Sequence, residues 1–220
     1  MSTSTDAGFE RVGQGGATAR GRGTSPAATA NELAGMVRRR ASRTDIWSFL
    51  EGLAPSARVE QMLAIRHSLV GQLYDLVGGG EPLTVEDFVP KDERGTVIFE
   101  GRNSLPAFTR FQKRFARIGD EVVGYNHQLM SFATGPGYFV VRPPTPGEAH
   151  PDELFFDYTA DPSGIPTGWP PFKSNDAGLS RAVYMDMKDF CRRVGPGVLV
   201  GKAYKRGVAQ NAFFSLTKPY

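Results

Sequence analysis

The sequence predicts an α+β protein, with an antiparallel β-barrel-like domain behind N-terminal helices and a disordered N-terminal tail. Two apolar runs near the C-terminus, 198–204 and 208–216, flank a Lys-Arg-Gly connection typical of a β-hairpin. Further short apolar runs bounded by Gly or Pro precede them, and this spacing favours a barrel or a strongly curved sheet. Neither run of the hairpin alternates strictly between apolar and polar residues, which indicates that both faces of the sheet are covered.

Residues 1–43 are predicted to form a disordered basic tail. Its first 30 residues are rich in Gly, Ser, Thr and Ala and cannot bury enough apolar surface to offset the entropy of ordering. The tail holds seven Arg against three acidic residues, and its net charge of about +4 exceeds the +3 of the whole chain. The rest is therefore close to neutral, so the charge gives no argument for nucleic acid as a partner.

Residues 44–94 are predicted to be a helical N-terminal segment. Thr44 is a candidate N-cap for a short helix over 46–53, and apolar residues recur at helical spacing between 59 and 77. We expect a pair of helices that packs on the main domain.

Residues 95–220 are predicted to be the barrel-like, ligand-binding domain, with strands over 96–99, 122–132, 138–142 and 153–159 besides the hairpin. Between the first two, Ser104 is a candidate cap for a third helix whose basic face opposes an apolar stripe of Phe108, Phe111, Phe115 and Ile118. Residues 187–194 are predicted to be a short helix or an irregular segment. The Pro/Gly-rich loop 161–178, which carries Trp169, has the length and composition of a lid.

Two stretches resemble the GXWXG-type proteins, a bacterial and fungal family with a C-terminal domain of unknown function. One is the segment 97–101 followed by 105–115, in which Gln-Lys-Arg-Phe at 112–115 takes the place of the family's Gly-Lys-x-Phe-like sequence and Phe99 that of its Trp. The other spans 189–216 and shares the Asp-Phe-x-Arg-Arg-Val opening. The resemblance covers about residues 95–118 and 180–217. It implies a calycin-like barrel with a ligand-sized interior and carries no catalytic residues across.

Motifs for metal or cofactor chemistry are missing from the sequence. The three histidines are scattered, and neither a phosphate-binding loop nor a dinucleotide or serine-hydrolase motif occurs, so we expect no metal and no cofactor. Cys191 is the only cysteine, and a buried, inert thiol is favoured over a nucleophile activated by the Arg residues that follow it. A single cysteine, with no signal peptide and no long apolar run, predicts a cytoplasmic protein without a membrane span.

The candidate catalytic residues are His127 and Tyr204, which we expect to line one pocket whose mouth Trp169 covers. His127 is the strand histidine that can titrate near pH 7, and a Lys202 that enters the interior would need a carboxylate such as Asp157 or Asp186. The structural alternatives are a satisfied wall position or a solvent-facing position for His127, and an ordinary ion pair for Lys202. The candidate ligand-binding residues are Tyr125, Asp157, Tyr158, Trp169, Tyr184 and Lys202.

The sequence thus predicts a small-molecule-binding barrel that encloses an apolar ligand. If it is an enzyme, we expect a cofactor-independent cyclase or isomerase of secondary metabolism, because such catalysis needs neither a metal nor a triad. The alternative is a non-catalytic ligand carrier or a protein-interaction module. An interior filled by Phe side chains would favour the interaction module, and an open cavity on the order of a few hundred Å3 would favour the ligand-binding barrel. The ligand and the oligomeric state stay open.

Overall fold

The computed structural model of the chain describes residues 32–78, 80–104, 109–127, 135–143, 145, 150 and 153–220. Eight antiparallel strands close into a barrel in chain order, and the last strand pairs with the first. The predicted antiparallel barrel is therefore confirmed. The strands are β1 (Val97–Asn103), β2 (Arg110–Ile118), β3 (Glu121–His127), β4 (Tyr138–Arg142), β5 (Leu154–Asp157), β6 (Met187–Gly195), β7 (Val198–Lys205) and β8 (Val208–Thr217).

Among the described residues, four short helices precede the barrel, and a fifth lies between β5 and β6. They are α1 (Glu32–Arg38), α2 (Arg43–Glu51), α3 (Pro55–Ala64), α4 (His67–Leu76) and α5 (Gly178–Tyr184). No helix in the described part of the chain is long and apolar enough to cross a membrane.

Helix α1 lies inside the segment predicted to be disordered, so that prediction is wrong for residues 32–43, while residues 1–31 lie outside the described residues. Leu33 and Val37, one helical turn apart, are fully buried among the other helices. The cap of α2 is Ser42 and not the predicted Thr44, because the Ser42 hydroxyl accepts the Asp45 N–H at 3.1 Å.

Helices α1–α4 cover the outer face of β6–β8. Val194, Val198 and Val200 point outward from the strands and are buried against the helices. Leu199 and Leu216 point the other way, into the barrel. Both faces of these strands are therefore covered, which explains why the hairpin sequence does not alternate cleanly.

The prediction of a third helix after Ser104 is wrong, because residues 110–118 form β2. Phe111 and Phe115 are four residues apart, a spacing that puts two side chains on one face of a strand as well as on one face of a helix. Lys113 lies between them and thus points into the barrel instead of into solvent. Phe108 of the predicted stripe lies outside the described residues. The predicted irregular segment 187–194 is likewise a strand, β6.

The lower end of the barrel, where β2 meets β3 and β6 meets β7, is closed by the segment before β1. A 3-10 turn over Val85–Asp87 directs Phe88 into the barrel, where its ring centroid lies 5.1 Å from that of Phe115. The Arg193 guanidinium anchors this segment by donating to both carboxylate oxygens of Asp87, at 2.7 and 2.6 Å. The opposite, upper end of the barrel is where β1, β3, β5 and β7 end.

Aromatic rings fill the interior, and glycines make room for them. Three inward glycines each pair with a Phe on the neighbouring strand, and a Cβ at any of them would collide with that ring. The pairs are Gly101–Phe111, Gly124–Phe139 and Gly201–Phe214. The rings therefore lie against bare backbone, as in other sheets in which an aromatic side chain covers a glycine.

We expect Gly201→Ala to lower the free energy of unfolding by about 1–3 kcal/mol, because the added methyl group overpacks the core against Phe214. Urea denaturation measures the change. The matched control is Gly52→Ala, where φ is −70° and the nearest atoms lie 3.6 Å from the new Cβ. This control should change stability by about 0.5 kcal/mol or less. Equal effects of the two substitutions would contradict the packing argument.

Candidate functional site

Four polar side chains meet in the upper half of the apolar interior: Lys113 of β2, Asn126 of β3, Tyr158 directly after β5 and Asp189 of β6. We call them the interior polar cluster. Each is at most 6% exposed. They meet because each lies on the inward-facing side of its strand or strand end, and closure of the sheet brings distant strands onto one interior.

The Lys113 ammonium is the centre of the cluster. Its Nζ donates to Asn126 Oδ1 at 2.8 Å, to Asp189 Oδ2 at 3.3 Å and to the Tyr158 hydroxyl. Tyr158 in turn donates to Asp189 Oδ2 at 3.2 Å, and Asn126 Nδ2 donates to the Tyr158 oxygen at 3.1 Å. All three ammonium protons thus have acceptors, as a buried charge requires.

Aromatic rings form the walls around this ammonium. Its Nζ lies 4.6 Å from the ring centroid of Phe139, 4.9 Å from that of Phe156 and 5.1 Å from that of Phe214. Rings at these distances attract a cation, but they do not replace its lost hydration. Taking an ion pair fully out of water costs several kcal/mol of desolvation free energy per ion, so the burial of this pair opposes folding.

Burial pushes both members of the ion pair toward their neutral forms. It lowers the pKa of Lys113, which the Asp189 carboxylate opposes, and it raises the pKa of Asp189, which Lys113 opposes. Burial and the Asp189 charge hold the pKa of Tyr158 well above its usual value, so the phenol is protonated in the resting protein. A buried group whose pKa is shifted by desolvation beside a specific charge partner is a candidate for a functional site.

Tyr184 of α5 forms the roof of the cluster. Its ring stacks on Tyr158 with 5.4 Å between centroids and 6° between planes. The backbone of Gly137 also lies close to this ring: its φ is +58°, and a side chain there would overlap the Tyr184 ring. The ring therefore lies flat against Tyr158 and close to the Gly137 backbone, and we call the space that it occupies the Tyr184 seat.

Helix α5 leaves apolar side chains in solvent. Leu179 is 64% exposed and Val183 is 41% exposed. The Lys205 ammonium donates to the Ala182 carbonyl at 2.9 Å and ties the helix to the upper hairpin. Few buried contacts predict that such an element opens before the sheet does.

Of the candidate site residues, the structure brings Tyr158 and Tyr184 together and places the others on the outer wall. Tyr125 and His127 face outward, because Asn126 between them faces inward. His127 is exposed as a whole residue. The partial desolvation of its imidazole lowers its pKa, and the positive charge of Arg114 lowers it further. The Tyr125 ring lies 4.7 Å from that of Trp169.

Trp169 does not cover the barrel mouth, so that prediction is wrong. Its Nε1 donates to Thr96 Oγ1 at 2.9 Å, near the lower end. The Tyr138 hydroxyl donates to the Pro170 carbonyl, which fixes the loop to the outer face of β4. The loop is therefore a strap along the outer wall.

Tyr204, Lys202 and Asp157 also face outward. The Tyr204 ring lies 4.6 Å from that of His150, and Asp157 accepts the Arg142 Nε–H at 2.9 Å. The Lys202 ammonium lies over the Phe213 ring at 5.2 Å, and it does not enter the interior.

His127 and Tyr204 belong to two different aromatic groups, so the structure does not form the shared pocket that we predicted. His127 lies beside Tyr125, whereas Tyr204 lies beside Phe190. Their catalytic roles stay predictions. Tyr204 does line a surface cleft of about 500 Å3 together with Lys188, Phe190 and Arg206.

The candidate site residues chosen from the sequence did not include Lys113, Asn126 or Asp189. The signal for Lys113 was its place between Phe111 and Phe115, which on a strand puts one ammonium among aromatic rings. Alternation separated Asn126 from Tyr125 and His127, but alternation cannot say which face is the inner one.

The interior of the barrel is filled by side chains. The rings of Phe139 and Phe156 lie 4.9 Å apart, and those of Phe115 and Phe156 lie 5.5 Å apart. By the criterion set from the sequence, this filling favours a protein-interaction module over a barrel that holds a ligand in a preformed cavity. Among the described residues, no group of three His, Cys, Asp or Glu could hold a metal ion.

Comparisons with known proteins give no relative. No protein-family model matches the chain, and no curated protein and no solved structure matches it significantly. The resemblance to the GXWXG-type family, with its calycin-like barrel, therefore stays a prediction.

Proposed function

We propose that the protein binds a small molecule with a flat apolar body and one neutral oxygen, in the Tyr184 seat beside the interior polar cluster. The observation that carries the proposal is the fully buried Lys113–Asp189 pair under an aromatic roof. Apolar residues of similar volume often stabilise a core as well as a buried ion pair does. Stability alone thus gives no reason for the pair, whereas ligand binding does.

The charges of the cluster favour a carbonyl or hydroxyl oxygen over a carboxylate. Asp189 already neutralises Lys113, so an anionic ligand would bring a second carboxylate to one ammonium. A neutral oxygen adds no charge and can accept a hydrogen bond from Lys113 or Tyr158. The body of the ligand is apolar because Phe139, Phe156 and Phe214 surround the ammonium.

The seat suits a ring, because the Tyr184 phenol already occupies it flat against Tyr158. In this closed form Tyr184 takes the place of the ligand, and binding requires α5 to move away. Only the open molecules can bind, so the apparent dissociation constant is the intrinsic one divided by the fraction of molecules that are open.

The same groups would support catalysis without a cofactor. Lys113 and Tyr158 offer two hydrogen-bond donors where a carbonyl oxygen gains negative charge, as happens when an enolate forms. Water is excluded, which strengthens these interactions. We therefore retain a cyclase or isomerase as the proposed enzyme class.

We expect 4-methylphenol, used as a neutral probe, to bind Tyr184→Ala protein at least about tenfold more tightly than wild type, because the seat is then vacant. In the Tyr184→Ala background, Lys113→Met should weaken binding by about two- to tenfold or more, the value of one hydrogen bond. Titration calorimetry on the full chain measures both changes. Lys202→Met on the outer wall is the matched control and should bind as its parent does.

Equal affinities in all these variants would place the probe elsewhere and contradict the proposal. Benzoate, which has the same ring with a carboxylate, should bind more weakly than 4-methylphenol. Tighter binding of benzoate would contradict the charge argument.

The second candidate function is a protein-interaction module. The filled interior favours it, and so do the exposed Leu179 and Val183 on α5. Absence of probe binding in both wild type and Tyr184→Ala would support this candidate over the first.

A further inference from the structure

We infer that Lys113 forms an imine with the carbonyl group of an aromatic aldehyde or ketone bound in the Tyr184 seat. This inference rests on the proposed function, because the carbonyl compound must first occupy that seat. It goes further by naming a covalent step and the chemical class of the ligand.

The first requirement of the step is an amine with a free lone pair. The Lys113 Nζ has a proton acceptor, Asp189 Oδ2, at 3.3 Å, and removal from water favours the neutral forms of both groups. An amine desolvated among apolar walls is a recognised form of activated lysine. Of the seven lysines in the sequence, Lys113 alone is buried.

The second requirement is a group that moves protons to and from the carbonyl oxygen. The Tyr158 hydroxyl contacts both Lys113 Nζ and Asp189 Oδ2, so it links the amine to the carboxylate. Asn126 Nδ2 donates to the same hydroxyl oxygen and fixes its position.

The step balances with these groups alone. After Lys113 has given one proton to Asp189, the Nζ lone pair bonds to the carbonyl carbon, and the oxygen takes the Tyr158 proton. The nitrogen then passes a second proton to the phenolate, which gives a neutral carbinolamine. The proton held by Asp189 goes to the carbinolamine hydroxyl, which leaves as water while the nitrogen lone pair forms the C=N bond. The resulting iminium keeps its N–H and pairs with the Asp189 carboxylate, and no oxidant or reductant is consumed.

The third requirement is protection from water, because water reverses the step. Phe139, Phe156 and Phe214 surround the nitrogen, and the Tyr184 roof closes the upper side. A dry aromatic site of this kind lengthens the lifetime of a hydrolysable intermediate.

The test is reductive trapping on the full chain with 4-hydroxybenzaldehyde and sodium cyanoborohydride, followed by peptide mapping by mass spectrometry. Cyanoborohydride delivers hydride to the iminium carbon and leaves a stable secondary amine. We expect at least about tenfold more adduct on Lys113 than on any other lysine, and faster trapping in Tyr184→Ala. Tyr158→Phe should slow trapping by about a hundredfold, the usual effect of losing an acid–base group. An excess of 4-methylphenol should protect Lys113.

Adduct confined to the exposed lysines, in both wild type and Tyr184→Ala, would overturn the inference. The variant Lys113→Arg keeps the charge and should lose only the adduct at that position. If 4-methylphenol binds with the expected dependence on Lys113 while the aldehyde leaves no adduct there, the imine is wrong and the proposed function stands. If neither the probe binds nor the adduct forms, both are wrong.

Discussion

Asp189→Asn is expected to lower the free energy of unfolding by about 3–5 kcal/mol, the usual cost of breaking a buried ion pair by removing one partner. The substitution keeps the shape of the side chain but leaves the Lys113 ammonium, 2% exposed, without its counter-charge. The hydrogen bonds to Asn126 and Tyr158 remain, yet both are to neutral groups. Urea denaturation of the full chain measures the effect.

Two variants test the reason for this loss. Asp186→Asn removes the exposed ion pair with Arg206 and should cost no more than about 1 kcal/mol, because solvent screens that pair. The double variant Lys113→Met/Asp189→Leu removes both charges and should recover most of the stability lost in Asp189→Asn. A double variant as unstable as the single one would show that the cost comes from packing and not from the unpaired charge.

Tyr184→Ala is expected to raise the rate at which thiol reagents modify Cys191 by about 30- to 1000-fold. Cys191 is the only cysteine, is 1% exposed and lies in the interior core two residues after Asp189. Loss of the buried ring and of its stacking on Tyr158 removes about 2–4 kcal/mol that holds the roof closed, and every 1.4 kcal/mol changes the opening equilibrium tenfold.

Labelling with iodoacetamide under native conditions, followed by mass spectrometry, gives this rate. Leu179→Ala on the exposed side of α5 is the matched control and should leave the rate within about twofold, since that side chain is 64% exposed. An unchanged rate in Tyr184→Ala, with the far-UV spectrum retained, would mean that Tyr184 does not close the barrel.

Local sequence determined much of the strand architecture. The Lys-Arg-Gly connection predicted the β7–β8 hairpin, and Arg206 and Gly207 indeed take the positive φ values of a tight two-residue turn. The predicted strand over 138–142 coincides with β4. These features depend on a few neighbouring residues, so sequence alone can specify them.

The candidate site was decided by tertiary structure. Apolar residues four apart fit a helix and a strand equally well, so the sequence could not show that Lys113 points inward. Pairing with β1 and β3 made this segment a strand and so placed Lys113 on the same face as Phe111 and Phe115. Alternation divided β3 into two faces, but only closure of the sheet made the face of Asn126 the inner one and that of His127 the outer one. Lys113 and Asp189 are 76 residues apart and meet because β2 and β6 face each other across the barrel, and no local pattern records such a contact.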